Sequence, residues 1–385
     1  MKKTSTRLAD GRELLYYDAA DDRVRDADDL RPLTPVATAS EVRHDVLLDE
    51  YVAIASHRQD RTYLPPTDAC PLCPSREGHR SEIPAADYDV AVFENRFPSL
   101  AGESGRCEVV CFTSDHHSSF ADLTEEQAAL VLEAWTDRTA ELSQLPSVEQ
   151  VFCFENRGAE IGVTLGHPHG QIYGYPYITP RTARVLDAVR AHAEAHGEGD
   201  GEARVAGHTP AHGEVPADPP AEASPGAPAG RAAAANLFDQ VVARERADGS
   251  RIVLDTGHWV AFVPYAAHWP YEVHLYPARR IPDLRELDDA ARAEFPAVYL
   301  ELLRRFDRIF GPGQPPTPYI AAWHQAPVRH PLRSEFALHL ELFTIRRTSG
   351  KLKVLAGSES GMGAFINDVT PEAAATRLRE VASEK

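Results

Sequence analysis

Along the chain, the apolar and polar positions repeat one design twice. Glu108–Thr124 reads EVVCFTSDHHSSFADLT and runs into EEQAALVLEAWTDRTAEL; from Glu272 the chain reads EVHLYPARRIPDLRELD and runs into DAARAEFPAVYLELLRRFDRIF. Each block opens with a strand-like run, passes a basic or His-bearing turn and a D-L step, then places apolar residues at three-to-four spacing, which predicts a long amphipathic helix. A strand pair follows each helix: VFCFENRGAEIGVTLGHPHGQIYGYP (151–176) and YIAAWHQAPVRHPLRSEFALHLELF (319–343). Within these pairs His167-Pro168-His169 aligns with His339-Leu340-Glu341. The pattern predicts an α+β fold built from a duplicated unit, two antiparallel sheets each with a long helix.

Boundaries follow from the same reading. Residues 1–42 are charged and read as an irregular lead-in with one short hairpin at Arg12–Tyr17. From Arg43 the run DVLLDEYVAIAS is strand-like, with a turn at Asp49–Glu50, and opens an N-terminal unit at 43–190. Residues 191–235 are rich in Ala, Gly, Pro, Glu and His with almost no large apolar side chains; such a segment cannot offset its ordering entropy and is predicted to be a disordered insert. The second unit is 236–385.

Composition narrows the function. With 40 Lys+Arg against 58 Asp+Glu the net charge is -18, which argues against gripping a nucleic-acid backbone. No run approaches the roughly 18 apolar residues of a membrane helix, and MKKTSTRLADGRELL lacks the apolar core of a secretory signal, so a cytoplasmic location is expected. Five cysteines in a chain of 385 residues make no disulfide framework; metal or packing must explain them.

Three motifs carry candidate chemistry. In His167-Pro168-His169-Gly170-Gln171, residues i and i+2 of a strand put both imidazoles on one face. Gly158, Gly162, Gly166 and Gly170 let backbone approach a ligand, while Asn156 and Gln171 add amide donors for an anionic or nucleobase partner. A neutral imidazole is a competent nucleophile toward phosphorus and leaves readily again, given a hydrogen bond that fixes its tautomer. In Cys70-Pro71-Leu72-Cys73-Pro74, the C-x-x-C turn is half of a tetrahedral zinc site, with Cys107, Cys111, His116, His117 and His167 as candidates for the remainder. Cys111 and Cys153 sit in apolar strands and read as core. Arg58 and Arg61 follow a strand three apart, a spacing able to clamp a diphosphate.

FENRGAEIGVTLGHPHGQIYGYP resembles the active-site signature of the galactose-1-phosphate uridylyltransferase family, within the histidine-triad superfamily, and the likeness runs from about Arg43 to the C-terminus outside the insert. It implies a duplicated histidine-triad fold, a homodimer with shared active sites, and ping-pong transfer. His169 attacks the α-phosphorus of UDP-glucose, and galactose 1-phosphate then takes the uridylyl group. By the same resemblance Cys70, Cys73, His116 and His167 are zinc ligands, and Asn95, Asn156, Gly162, Val163, Thr164 and Gln171 contact nucleotide and phosphate. Arg58 and Arg61 reach the nucleotide from the partner subunit, and Lys353 and Glu359 fall at sugar-phosphate positions.

The chain also departs from that family. Some members hold a second, iron site with one glutamate and three histidines. Here His324 and His339 match two of them, Glu341 replaces the third, and the residue near the expected glutamate, around Val185, is not acidic, so iron is not expected; a different metal at His324, His339 and Glu341 stays open. The segment SGMGAFIND (360–368) lacks the usual sugar-contacting glutamine, and the chain resembles plant ADP-glucose phosphorylase almost as well. An adenylyltransferase using the same histidine is therefore the alternative, with a zinc-stabilised nucleotide-binding protein without turnover as the third reading. Since a carboxylate is a poor reversible phosphoryl carrier, Glu341 makes the second repeat non-catalytic.

Overall fold

A computed structural model describes residues 1–34, 40–56, 64–197 and 236–383. The first half comprises β1 (Lys2–Arg7), β2 (Glu13–Asp18), β3 (Glu41–Asp45), β4 (Glu50–Ile54), β5 (Val90–Glu94), β6 (Arg106–Cys111), α1 (Glu125–Leu142), β7 (Gln150–Arg157) and β8 (His169–Tyr175). Then come α2 (Pro180–Gly197), α3 (Leu237–Asp248), β9 (Ile252–Asp255), β10 (Trp259–Phe262), β11 (Tyr271–Pro277), α4 (Asp289–Arg308), β12 (Tyr319–His324), β13 (His339–Thr344), β14 (Arg346–Thr348), β15 (Lys351–Leu352) and α5 (Pro371–Glu380).

The two expected sheets join edge to edge into one sheet of 11 strands, ordered β1-β2-β5-β6-β8-β7-β12-β13-β11-β10-β9. Read outward from the β7–β12 junction, each half repeats the other: β8 answers β13, β6 answers β11, β5 answers β10. The helices α1 and α4 start from equivalent caps, Thr124 accepting the Gln127 N–H and Asp288 that of Ala291. Both lie on one face of the sheet and share one apolar core, with Trp135 of α1, Phe295 and Leu303 of α4, Ile172 of β8 and Leu340 and Leu342 of β13. Side chains alternate along a strand, so His169 and Gln171, like His339 and Glu341, fall on the opposite face.

That opposite face is covered differently in the two halves. Over the second half lie α2 and α3, whose Leu186, Val189 and Phe238 pack on Phe262, Tyr276 and Phe336. Over the first half sits the Cys70–Cys73 loop, packed with Leu14, Tyr16, Phe93 and Val109.

Two boundary expectations change. The start of the expected irregular lead-in is regular: β1 and β2 pair from Lys2↔Asp18 to Arg7↔Glu13, and β2 joins the sheet through β5. Leu15 and Tyr17 enter one core and Leu14 and Tyr16 the other. The charges that read as disorder are instead spent on buried pairs, Arg25 with Asp18 and Arg12 with Asp10 and Glu82. The segment from 191 also begins as structure, because α2 continues to Gly197 through AHAEAHG, in which three alanines and Glu194 favour helix. Residues 198–235, the rest of the expected insert, lie outside the described residues, as do Arg58 and Arg61.

Candidate active site

The strand β8 alternates His169, Gln171 and Tyr173 toward the open face with Gly170, Ile172 and Gly174 toward the helices. Gly170 must be glycine: a Cβ there would meet the Phe112 ring and the Phe154 carbonyl oxygen, each at 2.8 Å. This close approach seats β8 between β6 and β7 and fixes where His169 stands.

A cavity of about 400 Å³ opens over His169. Asn95, Asn156, Gln171 and the 162–164 loop all line it, so the structure brings together six residues that the sequence proposed for nucleotide and phosphate contacts. Gly162 turns the loop with φ of +82°, in the left-handed region that glycine enters without strain. Arg96 is the cationic arginine among the lining residues. Sequence reading passed over it, although it directly follows Asn95. Lys353 and Glu359 are not among the lining residues; they pair with one another at 3.0 Å, with Lys353 buried and also donating to the Ile366 carbonyl.

The tautomer of His169 is set by one contact. Its Nδ1–H donates to the carbonyl oxygen of His167 at 2.8 Å, which leaves the Nε2 lone pair for the cavity. Burial lowers its pKa, so the ring stays neutral and nucleophilic around neutral pH.

Beside it, the ligand atoms of Cys70, Cys73, His116 and His167 lie within 4.8 Å of one another. Cys73 Sγ stands 3.3 Å from His116 Nδ1 and 3.6 Å from His167 Nδ1. His167 Nε2–H is shared between the Thr113 carbonyl at 2.8 Å and the Tyr88 hydroxyl at 2.7 Å, so Nδ1 presents its lone pair to the thiols. Tyr88 in turn donates to the Leu72 carbonyl, tying the C-x-x-C loop to the strand of the histidines. Nothing in the sequence marked Tyr88, since it acts only through this contact. Burial and the neighbouring Cys70 push the Cys73 thiol up to about 12; a divalent ion held by the four donors would reverse this by stabilising the thiolates. Two thiols and two imidazole lone pairs converging on one point suit a tetrahedral, borderline-soft metal. Cys107, Cys111 and His117 stand outside the group; Cys111 and Cys153 are core residues, as expected.

In the second half, His324, His339 and Glu341 also come together, and Glu272 and His274 join them from β11.

A duplicated strand-helix-strand unit, in which one histidine of an i,i+2 pair lines a cavity of amides and a glycine loop while the other turns to the thiols, defines a histidine-triad protein of the doubled kind. Residues 100–179 match the family model for the N-terminal domain of galactose-1-phosphate uridyl transferase, and residues 228–385 that for its C-terminal domain. A galactose-1-phosphate uridylyltransferase of Streptomyces lividans is 59% identical, the match covering 99% of this chain and 98% of that one. One of Thermotoga maritima is 33% identical over 89% of this chain and 99% of its own. A solved uridylyltransferase structure superposes with a TM-score of 0.70 at 28% identity, covering 89% of this chain and 98% of that one. The chain belongs to the galactose-1-phosphate uridylyltransferase family.

Proposed function

We propose that the protein is a nucleotidylyltransferase that exchanges UMP between UDP-glucose and galactose 1-phosphate through a uridylyl-histidine. The observation that carries this reading is the His169 geometry: Nδ1–H held by the His167 carbonyl, Nε2 aimed into the cavity. Family membership supplies the choice of substrates.

In the first half-reaction His169 Nε2 attacks the α-phosphorus, an N–P bond forms, and the P–O bond to glucose 1-phosphate breaks. The ring becomes a cationic phosphoramidate whose remaining N–H stays on Nδ1, and the His167 carbonyl oxygen offsets the new charge. In the second, a phosphate oxygen of galactose 1-phosphate attacks phosphorus and the imidazole leaves, giving UDP-galactose and the resting ring. No proton need leave Nδ1 in either step. Gln171, Asn156 and the backbone of 162–164 are assigned to the phosphoryl oxygens, and Asn95 to the uridine. Zinc is the ion assigned to Cys70, Cys73, His116 and His167; when bound it braces the strand that carries the nucleophile, and the residues do the chemistry.

A homodimer with shared active sites is part of the proposal, with Arg58 and Arg61 reaching the partner's nucleotide. Supporting it, the β3–β4 hairpin ends in Val46, Leu47 and Leu48, which are 78%, 92% and 67% exposed. Lys353 and Glu359 keep a sugar-phosphate role in the proposal through family likeness alone, since they do not line the cavity over His169. Among the described residues no helix is long and apolar enough to cross a membrane, and a cytoplasmic location is part of the proposal. Division into two histidine-triad-like units, the first of them including β1 and β2, belongs to the same reading.

The test is intact-protein mass spectrometry after incubation with UDP-glucose or ADP-glucose alone. A uridylyl-sized, acid-labile adduct that His169→Asn lacks is the expected result. An adenylyl adduct instead would move the assignment to the ADP-glucose phosphorylase type, and bound nucleotide with no adduct would leave a binding protein.

A further inference from the structure

The cluster beneath α2 in the second half holds more charge than the proposed reaction uses. Glu341 of β13 is buried at its centre, with His324 Nε2 at 3.3 Å from one carboxylate oxygen and His339 Nε2 at 3.5 Å from the other. These three and His274 fall on one face through strand register, His324 opposite His339 and His274 opposite Glu341. Donors on a common metal ion at ~2.1 Å lie roughly 3–3.5 Å apart, so the spacing alone would admit an ion where some family members carry their iron.

The donors themselves do not fit that group. No carboxylate of α2 joins the group: Val185, near the position where one is expected, packs with Leu186 and Val189 into the apolar layer. His274 Nε2 is 2.9 Å from Glu272, and its N–H is donated there, while the other Glu272 oxygen accepts the backbone N–H groups of His268 and Trp269. Above all, the Arg181 guanidinium, from the first turn of α2, donates to Glu341 Oε1 at 2.6 Å. That oxygen also has His274 Nε2 at 3.6 Å. A metal ion bound to it would displace the arginine or sit beside a guanidinium, where two cations repel in a poorly solvated site.

We propose that Arg181 takes the place of the second metal ion in this chain. Its fixed charge balances buried Glu341 and its side chain bolts the start of α2 to β13, the job that a structural ion would do by ligation. Arginine suits the role because its charge is permanent and its planar fork reaches from a half-exposed helix start into a buried carboxylate. The inference does not depend on which nucleotide the first half handles.

Cobalt titration of the metal-stripped full-length chain tests it. The wild type should take one equivalent, showing the sulfur-to-cobalt charge-transfer band of the thiol site and losing it in Cys73→Ser. Arg181→Met should lose a few degrees of Tm. It should also gain a second equivalent seen only as ligand-field bands, because the donors now available are nitrogen and oxygen. His324→Gln in that background should remove the second equivalent alone. Arg181→Gln serves the same purpose should the Met variant fold poorly. A second equivalent already present in the wild type and lost in His324→Gln would overturn the proposal. So would a single equivalent in both arginine variants, since the arginine would then be holding no metal position.

Discussion

The strands β8 and β13 come from equivalent places in one repeated unit and have been put to opposite uses. Around β8, glycines thin the strand, a cavity of about 400 Å³ is left open, and a histidine is presented with one nitrogen unoccupied. Around β13, leucine stands where β8 has Gly170, two helices close the face, and the residue aligned with His169 is a carboxylate already committed to an arginine. The difference teaches that the fold supplies the address and not the activity. The same backbone gives a reaction site when left open, and a bolt for α2 when filled.

The sharpest way to break this comparison is to exchange the side chains that define it. His169→Asn should lower uridylyl exchange by at least about 10⁴-fold while nucleotide binding persists, as expected for loss of a nucleophile. Glu341→Gln should leave exchange close to that of wild type, because no β13 residue lines the cavity over His169. Steady-state exchange assays on both variants decide it. Loss of activity in Glu341→Gln at full folding would mean that the second half takes part in the chemistry.

Next in size is the metal. Cys70→Ser or Cys73→Ser should reduce bound zinc from about one per chain to near zero, as measured by elemental analysis of the purified protein. His324→Gln should leave that equivalent in place. Stoichiometric zinc surviving in both cysteine variants would remove the four-donor assignment from the first half.

Gly170→Ala gives a smaller effect of a purely steric kind. The added methyl meets an aromatic ring and a carbonyl oxygen at 2.8 Å, and overpacking of that kind costs about 1–3 kcal/mol. Urea unfolding should show it. Leu342, the aligned residue of β13, tolerates a large side chain because its surroundings were built around it. An unchanged unfolding midpoint in Gly170→Ala would mean that Phe112 moves aside freely and that the close packing does not seat His169.

How far the sequence anticipated this contrast depends on the range of the interaction. HPHGQ, the C-x-x-C turn and the two strand-helix blocks are local patterns, and the structure brings Cys70, Cys73, His116 and His167 together across nearly a hundred residues because the strand that follows one motif pairs beside the other. A short hairpin near Arg12–Tyr17 was legible, but its place in the sheet was hidden because Asp and Arg read as solvated until their partners, such as Glu82, are known. Arg181 was hidden more deeply: it meets Glu341 from 160 positions away, and no spacing rule links a helix start to the middle of a strand in the other half. Lys353 and Glu359 show the converse, residues placed by family likeness that the chain's own cavity does not contain.

The junction between the halves carries the smallest and most specific difference. In the register of β7 with β12, Glu155 faces Ala321, a carboxylate on one side of the repeat axis and a methyl group on the other. Glu155 points to the helix side, is buried, and one of its oxygens lacks a hydrogen-bond partner among the described residues. Burial raises its pKa from the usual 4.5 to about 7, against the opposing pull of Arg157 and Tyr319. Between those two values the folded chain holds a proton that the unfolded chain has released. Stability from this group is therefore complete below about pH 4.5 and is lost as pH rises through about 7. Glu155→Gln keeps the shape and removes the proton, so the wild type should lose about 1–3 kcal/mol relative to the variant between pH 5 and pH 8. Urea unfolding of both proteins at intervals across that range measures the gap. Parallel curves would mean that Glu155 is ionised when folded, held by Arg157, and that the two halves meet at a charged seam.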